Sequence, residues 1–394
     1  MSSKTFEGID LCDPKSHDNP WEMYTWMLEE RPLYWDPNNE VWYAWRYDDL
    51  VTISRDPETF TSTNGNRPNL PPDPSMIHQD GEQHRKQRAL VAQGFSPKFI
   101  RKMDQDVREI VRELLADMIR RGEGDLVEDL AAKLPMAVIA RMIGVPKERE
   151  DELRHWVDAF VSGGQGPNYV SDDVNEAFSN FIAHHEELMA QRQENLGDDL
   201  LSTWIKAEID GEKLNEEQLL FEHVLLTVGG AETTRSAIAG GIEQLILNPD
   251  QWKYLDENPD AIANAIEEIV RHVCPFVNMF RTATRDVEMH GQTIKEGQMV
   301  GLMYPTANRD PRHFPDPHKF DVRREFTTKQ IAFGYGSHFC LGSNLARLEL
   351  RAVLEELFKM VKSMEFKPGT ERRWVSSSFV RGPATVPVLV KGKQ

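Results

Sequence analysis

Residues 333–342 read Phe-Gly-Tyr-Gly-Ser-His-Phe-Cys-Leu-Gly, and this stretch decides how the rest of the chain is interpreted. Gly334 and Gly336 allow tight backbone turns and let the backbone approach a flat partner closely. Cys340 stands just before an amphipathic pattern that predicts a helix from about Ser343. The unpaired N–H groups and positive dipole end at a helix N-terminus favour a thiolate over a thiol. The stretch therefore predicts a loop that presents a thiolate.

A thiolate held in this way is a soft, electron-donating metal ligand, which suits a haem iron. A dinucleotide-binding loop would need glycine where Phe339 stands, and a phosphate-binding loop would have Lys-Ser or Lys-Thr after Gly342. A zinc or iron–sulfur site would need several close ligands, but the other cysteines, Cys12 and Cys274, are far away in sequence. A buried structural cysteine would explain Cys340 itself, but not the spacing of the glycines and histidine around it.

Composition places the chain among ordinary globular proteins. Of its 394 residues, 40% are hydrophobic and 28% are charged, and the formal net charge is −18. The acidic balance makes nucleic acid an unlikely partner, so none is expected. We expect neither a membrane anchor nor a secretory signal, since the first residues are polar and no long apolar run occurs. Three cysteines fit a reducing compartment, and these features together predict a cytoplasmic protein.

Hydrophobic periodicity predicts one mostly helical domain over residues 1–394, with a small β portion. A hairpin is expected around the turn at 36–39, and a proline-rich loop at 59–80. A flexible segment at 162–168 could be the hinge of a lid. Short strands are predicted within 287–300 and 375–390. Helices are predicted over 84–93, 99–121, 126–143, 147–161, 172–195, 215–248, 250–258 and 261–274.

The predicted helix over 215–248 is the longest, at about 50 Å, and begins at a capping pair formed by Asn215 and Gln218. It contains Gly229, Gly230, Glu232 and Thr233 in close succession, with a second threonine after them. A helix locally widened at the glycines would leave room for a small molecule such as dioxygen. Glu232 and Thr233 would then supply the acid and the hydroxyl of a proton relay. A close helix crossing that needs small residues explains the glycines equally well.

Two further groups of charged residues are candidates for the site. His84 and Arg88 share one helical face, and with Arg281 and His338 they could bind the two haem propionates. Taken singly, each fits a surface or capping role. Glu268 and Arg271 stand at i and i+3, which by default is a solvated pair, and Arg324 could join them in a buried network.

In their order along the chain, these motifs resemble those of the cytochrome P450 family, over essentially the full length. The cysteine loop is very specific, and Glu-x-x-Arg alone is weak. One departure is mild: Glu232 stands where aspartate is more usual. The resemblance implies the cytochrome P450 fold, a single triangular-prism domain with a long central helix, and haem b as cofactor. It implies a haem-thiolate monooxygenase that inserts one atom of dioxygen into an unactivated C–H bond.

The resemblance also assigns roles to individual residues. Cys340 would be the metal ligand, with Phe333 packed near it. Glu232 and Thr233 would be catalytic, delivering protons to the oxygen. Glu268, Arg271 and Arg324 would be structural. The residues implied in cofactor binding are His84, Arg88, Arg281, Phe333, His338, Cys340, Gly342 and Gly230.

The electron donors implied by the resemblance are a ferredoxin and its NAD(P)H-dependent reductase, acting on a monomer. Basic residues that could form the docking patch near the cysteine are Arg101, Lys102, Lys329, Arg347 and Arg351.

Candidate substrate-pocket residues lie in segments that are largely apolar, which is typical of a lipophilic ligand. Some stretches look like the actinobacterial sterol side-chain hydroxylases, so a sterol or steroid side chain is the first choice. A fatty acid, a terpenoid or a macrolide-type product is the alternative. The segments are 64–77, 160–170 and 225–229, and the specific residues are Val228, Gly229, Val277, Asn278, Met279, Phe379 and Val380.

Two other functional classes remain open. A peroxide-driven haem-thiolate enzyme would normally lack the acid–threonine pair that Glu232 and Thr233 form. A haem sensor without catalytic activity would have no use for a proton relay. Activity with peroxide alone would favour the first, and failure to consume NADPH with any competent redox partner would favour the second.

Overall fold

The computed structural model describes residues 5–68, 70–95 and 97–393. It confirms the mainly helical architecture with a small β portion. The α-helices of the described chain are α1 (Trp21–Glu30), α2 (Tyr47–Arg55), α3 (Gly81–Ala92), α4 (Pro97–Arg121), α5 (Lys133–Ile143), α6 (Glu150–Gly163), α7 (Asp172–Glu194), α8 (Leu200–Lys206), α9 (Glu216–Leu247), α10 (Pro249–Glu257), α11 (Ile262–Val273), α12 (Tyr304–Ala307) and α13 (Ser343–Met360).

The strands form small sheets beside the helices. They are β1 (Leu33–Asp36), β2 (Val41–Ala44), β3 (Phe60–Thr61), β4 (Glu123–Asp125), β5 (Asn278–Ala283), β6 (Val287–Met289), β7 (Gln292–Ile294), β8 (Met299–Met303), β9 (Val361–Phe366), β10 (Arg373–Trp374), β11 (Pro383–Thr385) and β12 (Pro387–Gly392). The largest sheet has the order β1-β2-β8-β5-β3, and the next has the order β4-β12-β9. The predicted hairpin is β1–β2, in which Trp35 lies opposite Trp42.

Helix α9 runs through the core and begins at the predicted capping pair. Asn215 Oδ1 accepts a hydrogen bond from the Gln218 N–H over 2.8 Å, and Gln218 Oε1 accepts one from the Asn215 N–H over 3.0 Å. Its 32 residues correspond to a length of about 48 Å. This reciprocal cap satisfies two backbone donors that a helix start otherwise leaves unpaired.

Two glycines near the C-terminal end of α9 allow close packing against α11. A Cβ atom on Gly240 would lie 2.9 Å from Cγ1 of Val273, and one on Gly241 would lie 2.7 Å from Cγ2 of Ile269. Real Cβ atoms essentially never come so close to a neighbour. The small residues therefore set the distance between the two helices.

The structure differs from the sequence predictions in several places. The helix expected over 126–143 is divided, because a π-helical turn occupies Val127–Ala131 and the Ala132 N–H bonds to the Val127 carbonyl over 2.8 Å. Helix α8 was not predicted, since it is only 7 residues long and offers little periodicity. The expected hinge at 162–168 begins inside α6, which continues to Gly163. Asn69, in the predicted proline-rich loop, lies outside the described residues.

Among the helices described, none has both the length and the apolar character needed to cross a membrane.

Candidate active site

The cysteine loop is shaped by two glycines in the left-handed region. Gly334 has φ +75° and Gly336 has φ +74°, and a Cβ atom on Gly336 would lie 2.3 Å from the Ser54 carbonyl oxygen. The Cys340 N–H donates to the Phe333 carbonyl over 2.8 Å and closes the loop. Helix α13 starts three residues after the cysteine, at Ser343. The sulfur of Cys340 thus lies close to the N-terminus of α13, as the sequence predicted.

Cys340 is exposed on the wall of a large internal cavity. Protein atoms nevertheless crowd the thiol, and this burial raises its pKa. The backbone N–H groups of Gly342 and Ser343 and the charges of Arg88 and Arg347 act in the opposite direction. The helix start therefore helps the thiolate as expected, but burial outweighs it. A metal ion removes the thiol proton outright when the sulfur coordinates it.

Helix α9 forms the wall that carries Gly229 and Thr233. A Cβ atom on Gly229 would meet nothing within 4 Å, whereas one on Gly230 would lie 2.6 Å from Cδ1 of Ile139. Thr233 Oγ1 donates to the Gly229 carbonyl over 2.8 Å. The helix is α-helical throughout Glu216–Leu247, so of the two interpretations that the sequence left open, the widened turn is not observed there. The open space beside Gly229 is there because glycine has no side chain. Gly230 instead allows close contact between α9 and Ile139 of α5.

Glu232 is buried on α9 beside an arginine. Its Oε2 lies 3.0 Å from Nη1 of Arg235, and the same nitrogen lies 3.0 Å from Oδ1 of Asp158 on α6. Burial raises the pKa of Glu232 to about 7, with Arg235 lowering it and Asp158 raising it. This carboxyl group can gain or lose a proton near neutral pH.

The structure brings the four basic candidates together. The rings of His84 and His338 have centroids 4.2 Å apart, and His338 Nε2 lies 3.2 Å from Oδ1 of Asp80. Burial, helped by the neighbouring His338, Arg88 and Arg281 and opposed by the charge of Asp80, lowers the pKa of His84 to about 4. His84 Nε2 is buried with no hydrogen-bond partner among the described residues. More basic groups meet here than one carboxylate can balance, which suits a ligand with two carboxylates.

The arginines of this cluster also bond to the backbone. Arg88 Nη2 donates to the Phe339 carbonyl over 2.5 Å, and Arg281 Nη1 donates to the Phe280 carbonyl over 2.7 Å. Arg88, Arg281 and His338 line the cavity, whereas His84 contacts the ring of His338 but is not part of the cavity wall. The cluster therefore joins α3, β5 and the cysteine loop at one edge of the cavity.

The cavity between α9 and the cysteine loop has a volume of about 320 Å³. From the predicted site residues, those found on its wall are Arg88, Val228, Gly229, Gly230, Glu232, Thr233, Met279, Arg281, Phe333, His338, Cys340, Gly342, Phe379 and Val380. From the predicted segments, Asn66, Met76, Ile77 and Val161 also reach it. Its wall is mostly apolar, apart from the acids and bases described above.

Val277 and Asn278 were placed in the pocket by the sequence and lie outside its wall. Alternate residues of a strand point to opposite faces, and Met279 and Arg281 occupy the cavity side of β5. Asn278 instead accepts a hydrogen bond from Arg67 Nη1 over 2.5 Å and donates to the Ser378 carbonyl over 3.1 Å. Val277 is fully buried in the core. The prediction for these two residues was wrong.

Several cavity residues were missed by the sequence analysis. Phe276 lies between α11 and β5, and Tyr304 is the first residue of the short helix α12; nothing in their sequence neighbourhood marked either one. Glu222 and Glu349 are buried acids on α9 and α13. Their signal was available: each is an acidic residue on the apolar side of a predicted helix, where a charge is costly.

Behind the cysteine loop, Glu268, Arg271 and Arg324 form the buried network that the sequence left open. Arg271 Nε and Nη2 donate to the two oxygens of Glu268 over 2.7 and 2.8 Å. Arg324 Nε donates to Oε2 of Glu268 over 2.9 Å. Arg271 also donates to the carbonyls of Asn308 and Pro317. These bonds fix α11 to the segment that leads into the loop.

A thiol on one wall, a threonine hydroxyl on α9, and a basic cluster at the edge together suit a flat iron porphyrin with two carboxylates. The comparisons with known proteins agree. The family model for cytochrome P450 matches residues 22–384. A steroid C26-monooxygenase from Mycolicibacterium smegmatis is 36% identical over 376 residues, which cover 93% of this chain and 92% of the relative. A methyl-branched lipid omega-hydroxylase from Mycobacterium bovis is 35% identical over 362 residues, which cover 89% and 84%.

Among solved structures, CYP109E1 from Bacillus megaterium in complex with testosterone aligns with a TM-score of 0.88. That alignment has 28% sequence identity and covers 95% of this chain and 99% of the other. The chain therefore belongs to the cytochrome P450 family. It is a haem b-dependent monooxygenase that acts on a lipophilic substrate with electrons from a redox partner.

Proposed function

We propose that Cys340 would hold the haem iron through its sulfur and that the enzyme hydroxylates the side chain of a sterol or steroid. The observation that carries the proposal is that Cys340, Gly229 and Thr233 line one cavity whose wall is otherwise mostly apolar. When bound, the haem supplies the binding and cleavage of dioxygen, and thiolate donation favours breaking the O–O bond. The other steps depend on what the chain's own residues bind, orient and protonate.

The basic cluster of His84, Arg88, Arg281 and His338 is the proposed binding site of the two haem propionates. Arg88, Arg281 and His338 face the cavity, and Nε2 of His84, beside His338, has no hydrogen-bond partner within the described part of the chain. Charge-assisted hydrogen bonds to carboxylates are about twice as strong as neutral ones. On the cysteine side, Phe333 would pack against the porphyrin, and its ring is itself covered by Arg347, whose Cζ lies 4.5 Å from the ring centroid.

Glu232 and Thr233 are the proposed proton carriers. Thr233 Oγ1 donates its own proton to the Gly229 carbonyl, so its lone pairs remain available to accept another. Glu232 holds or releases a proton near neutral pH and is kept in place by Arg235. In this relay Glu232 would give up a proton towards the Thr233 hydroxyl, while that hydroxyl would release its own proton into the cavity.

The sterol assignment draws on the cavity and on the relatives. The wall offers a long apolar surface formed by α9, the 64–77 loop and the Phe379 segment. The steroid C26-monooxygenase is among the relatives, and the aligned CYP109E1 structure holds testosterone. A branched lipid is the second candidate, because a methyl-branched lipid omega-hydroxylase is a relative of similar identity.

A ferredoxin is the proposed electron donor, with the enzyme acting as a monomer. Arg101, Lys102, Lys329 and Arg351 are exposed and could contact an acidic partner. Arg347 was expected in the same patch, but unlike these residues it is half-buried rather than exposed. Its Nε lies 2.6 Å from Oε1 of Glu267. All three cysteines are unpaired, which supports a reducing, cytoplasmic environment.

A spectral titration of the ferric protein tests the substrate proposal. A substrate that displaces water from the iron moves the Soret band to shorter wavelength. We expect this shift with steroids and sterols at lower concentrations than with fatty acids or terpenoids. A shift confined to fatty acids or terpenoids would contradict the sterol assignment. Product formation with NADPH, ferredoxin and reductase, compared with peroxide alone, separates a monooxygenase from a peroxide-driven enzyme.

A further inference from the structure

Glu222 is a buried acid on the cavity wall that the proposed haem and oxygen chemistry leaves unused. Its exposed fraction is 1%. Oε1 accepts hydrogen bonds from the Met76 N–H over 2.6 Å and from Gln87 Nε2 over 2.8 Å. Oε2 is also buried, but it has no hydrogen-bond partner in the part of the chain that the structure describes. A buried acceptor left unpaired costs free energy, so it calls for an explanation.

The paired oxygen is held by a network that fixes the carboxyl group. Gln87 Nε2 also donates to the Pro74 carbonyl over 2.8 Å, and Gln87 Oε1 accepts from Gln218 Nε2 over 3.0 Å. These bonds connect α3, the 74–76 loop and α9 around Glu222. Because one carboxylate oxygen is fixed by two donors, the position of the other oxygen is fixed as well.

Glu222 is separated along α9 from Gly229 and Thr233, the residues beside which dioxygen is proposed to react. Residues 222, 226, 229 and 233 follow the spacing of one helical face, and all of them line the cavity. Seven residues of α-helix separate Glu222 from Gly229, which is about 10 Å along the axis. The wall between them is apolar and includes Leu225 and Leu226.

We propose that Oε2 of Glu222 is the polar anchor of the substrate cavity and binds a hydroxyl group at one end of a long lipophilic substrate. The other end of that substrate would lie beside Gly229 and Thr233. This inference rests on the proposed hydroxylase function and specifies its substrate class. A hydroxyl group can donate to an ionised carboxylate and can accept from a protonated one, so it suits either form of Glu222.

The test uses the ferric holoenzyme and pairs of ligands that differ only in the hydroxyl group. The probes are cholesterol with cholest-5-ene, and hexadecan-1-ol with hexadecane, each titrated by the Soret shift. The wild type should bind an alcohol roughly tenfold or more tightly than its hydrocarbon partner. Glu222→Leu should remove this preference. Glu222→Gln should retain most of it, because the amide has the same shape and can still hydrogen-bond a hydroxyl.

Glu217→Leu is the matched control, since Glu217 is an exposed acid on the same helix, and it should leave the preference unchanged. Equal weakening of alcohol and hydrocarbon by Glu222→Leu would overturn the proposal, because loss of loop packing alone would act in that way. A wild type without preference, or without a shift for either alcohol, would overturn it too. The reduced CO spectrum is recorded on the same samples. A preparation lacking the long-wavelength band of a thiolate ligand would reject the haem-thiolate assignment, whereas a normal band without preference would reject only the anchor.

Discussion

Oγ1 of Thr233 donates a hydrogen bond to the carbonyl oxygen of Gly229, four residues earlier on α9, over 2.8 Å. The bond fixes the direction of the hydroxyl group at a turn where a Cβ atom on residue 229 would meet open space. Ser and Thr hydroxyls often bond back to the carbonyl at i−4, usually at a small cost to the helix. Here the same bond aims the free lone pairs of a hydroxyl at the cavity.

Thr233→Ala should uncouple electron consumption from hydroxylation. Without the hydroxyl group, proton delivery to the oxygen fails more often, and reduced oxygen leaves as hydrogen peroxide. We expect more peroxide per NADPH consumed, measured together with product yield. Thr233→Ser keeps the hydroxyl group and should stay close to the wild type. Unchanged coupling in the alanine variant would remove Thr233 from the relay.

Cys340→Ser should abolish the long-wavelength Soret band of the reduced CO adduct that gives the family its name. A serine oxygen cannot donate electron density as a thiolate sulfur does. The measurement is the reduced CO difference spectrum at equal haem content. Cys12→Ser is the control, because Cys12 lies near Tyr43, with Sγ 3.5 Å from its hydroxyl oxygen. If the serine variant at 340 kept a normal band, another residue would be the ligand.

Arg324→Ala should destabilise the fold by about 3–5 kcal/mol, the range found when one partner of a buried ion pair is removed. Its side chain bonds to Glu268 and to the carbonyls of Pro315 and Lys319. The free energy of unfolding of the holoprotein in denaturant measures the loss. The neighbouring Arg323 is exposed and lies 3.8 Å from Asp250, so Arg323→Ala should cost less than about 1 kcal/mol. Similar losses for both variants would contradict a special role for the network.

Acid should destabilise the contact between α7 and α9 through three buried histidines. Nδ1 of His185 lies 3.0 Å from Nδ1 of His223, and both ring nitrogens of His184 lack a partner among the described residues. Burial lowers the pKa of His184 and of His185 to about 4, and it lowers the pKa of His223 well below its ordinary value. The nearby charge of Arg149 adds to the effect on His184, while Glu187 and Glu152 oppose it.

Since these pKa values are depressed on folding, the stability they contribute is complete above the unfolded value of 6.5 and is lost as the pH falls towards 4. As the pH falls from about 7.5 to about 5.5, each buried histidine should lower the free energy of unfolding by about 1 kcal/mol. His184→Leu should therefore flatten the pH dependence of the unfolding free energy. His155→Leu alters an exposed histidine near Asp173 and should not. An unchanged slope in the His184 variant would show that the ring does not stay neutral.

The sequence predicted the parts of this site that local chemistry determines. Gly336 was recognised because a tight loop needs a residue without a side chain, and Asn215 because a helix start needs a side-chain acceptor. Asn278 was misplaced because the face of β5 that points to the cavity is decided by pairing with β8 and by Arg67, which is distant in sequence. Glu222 could have been noticed as an acid on the apolar side of a predicted helix, but its contacts could not be predicted, because Met76 and Gln87 become its neighbours only on folding.

The close contact of Gly240 and Gly241 with Val273 and Ile269 has one more consequence. Helix α9 carries Thr233, and α11 carries Glu268, whose ion pairs hold the segment that leads into the cysteine loop. The contact between the two helices therefore sets the distance between Thr233 and that loop. A single added methyl group at either glycine would push α9 and α11 apart. Such a variant could keep every chemical group and still hold sulfur and hydroxyl at the wrong separation.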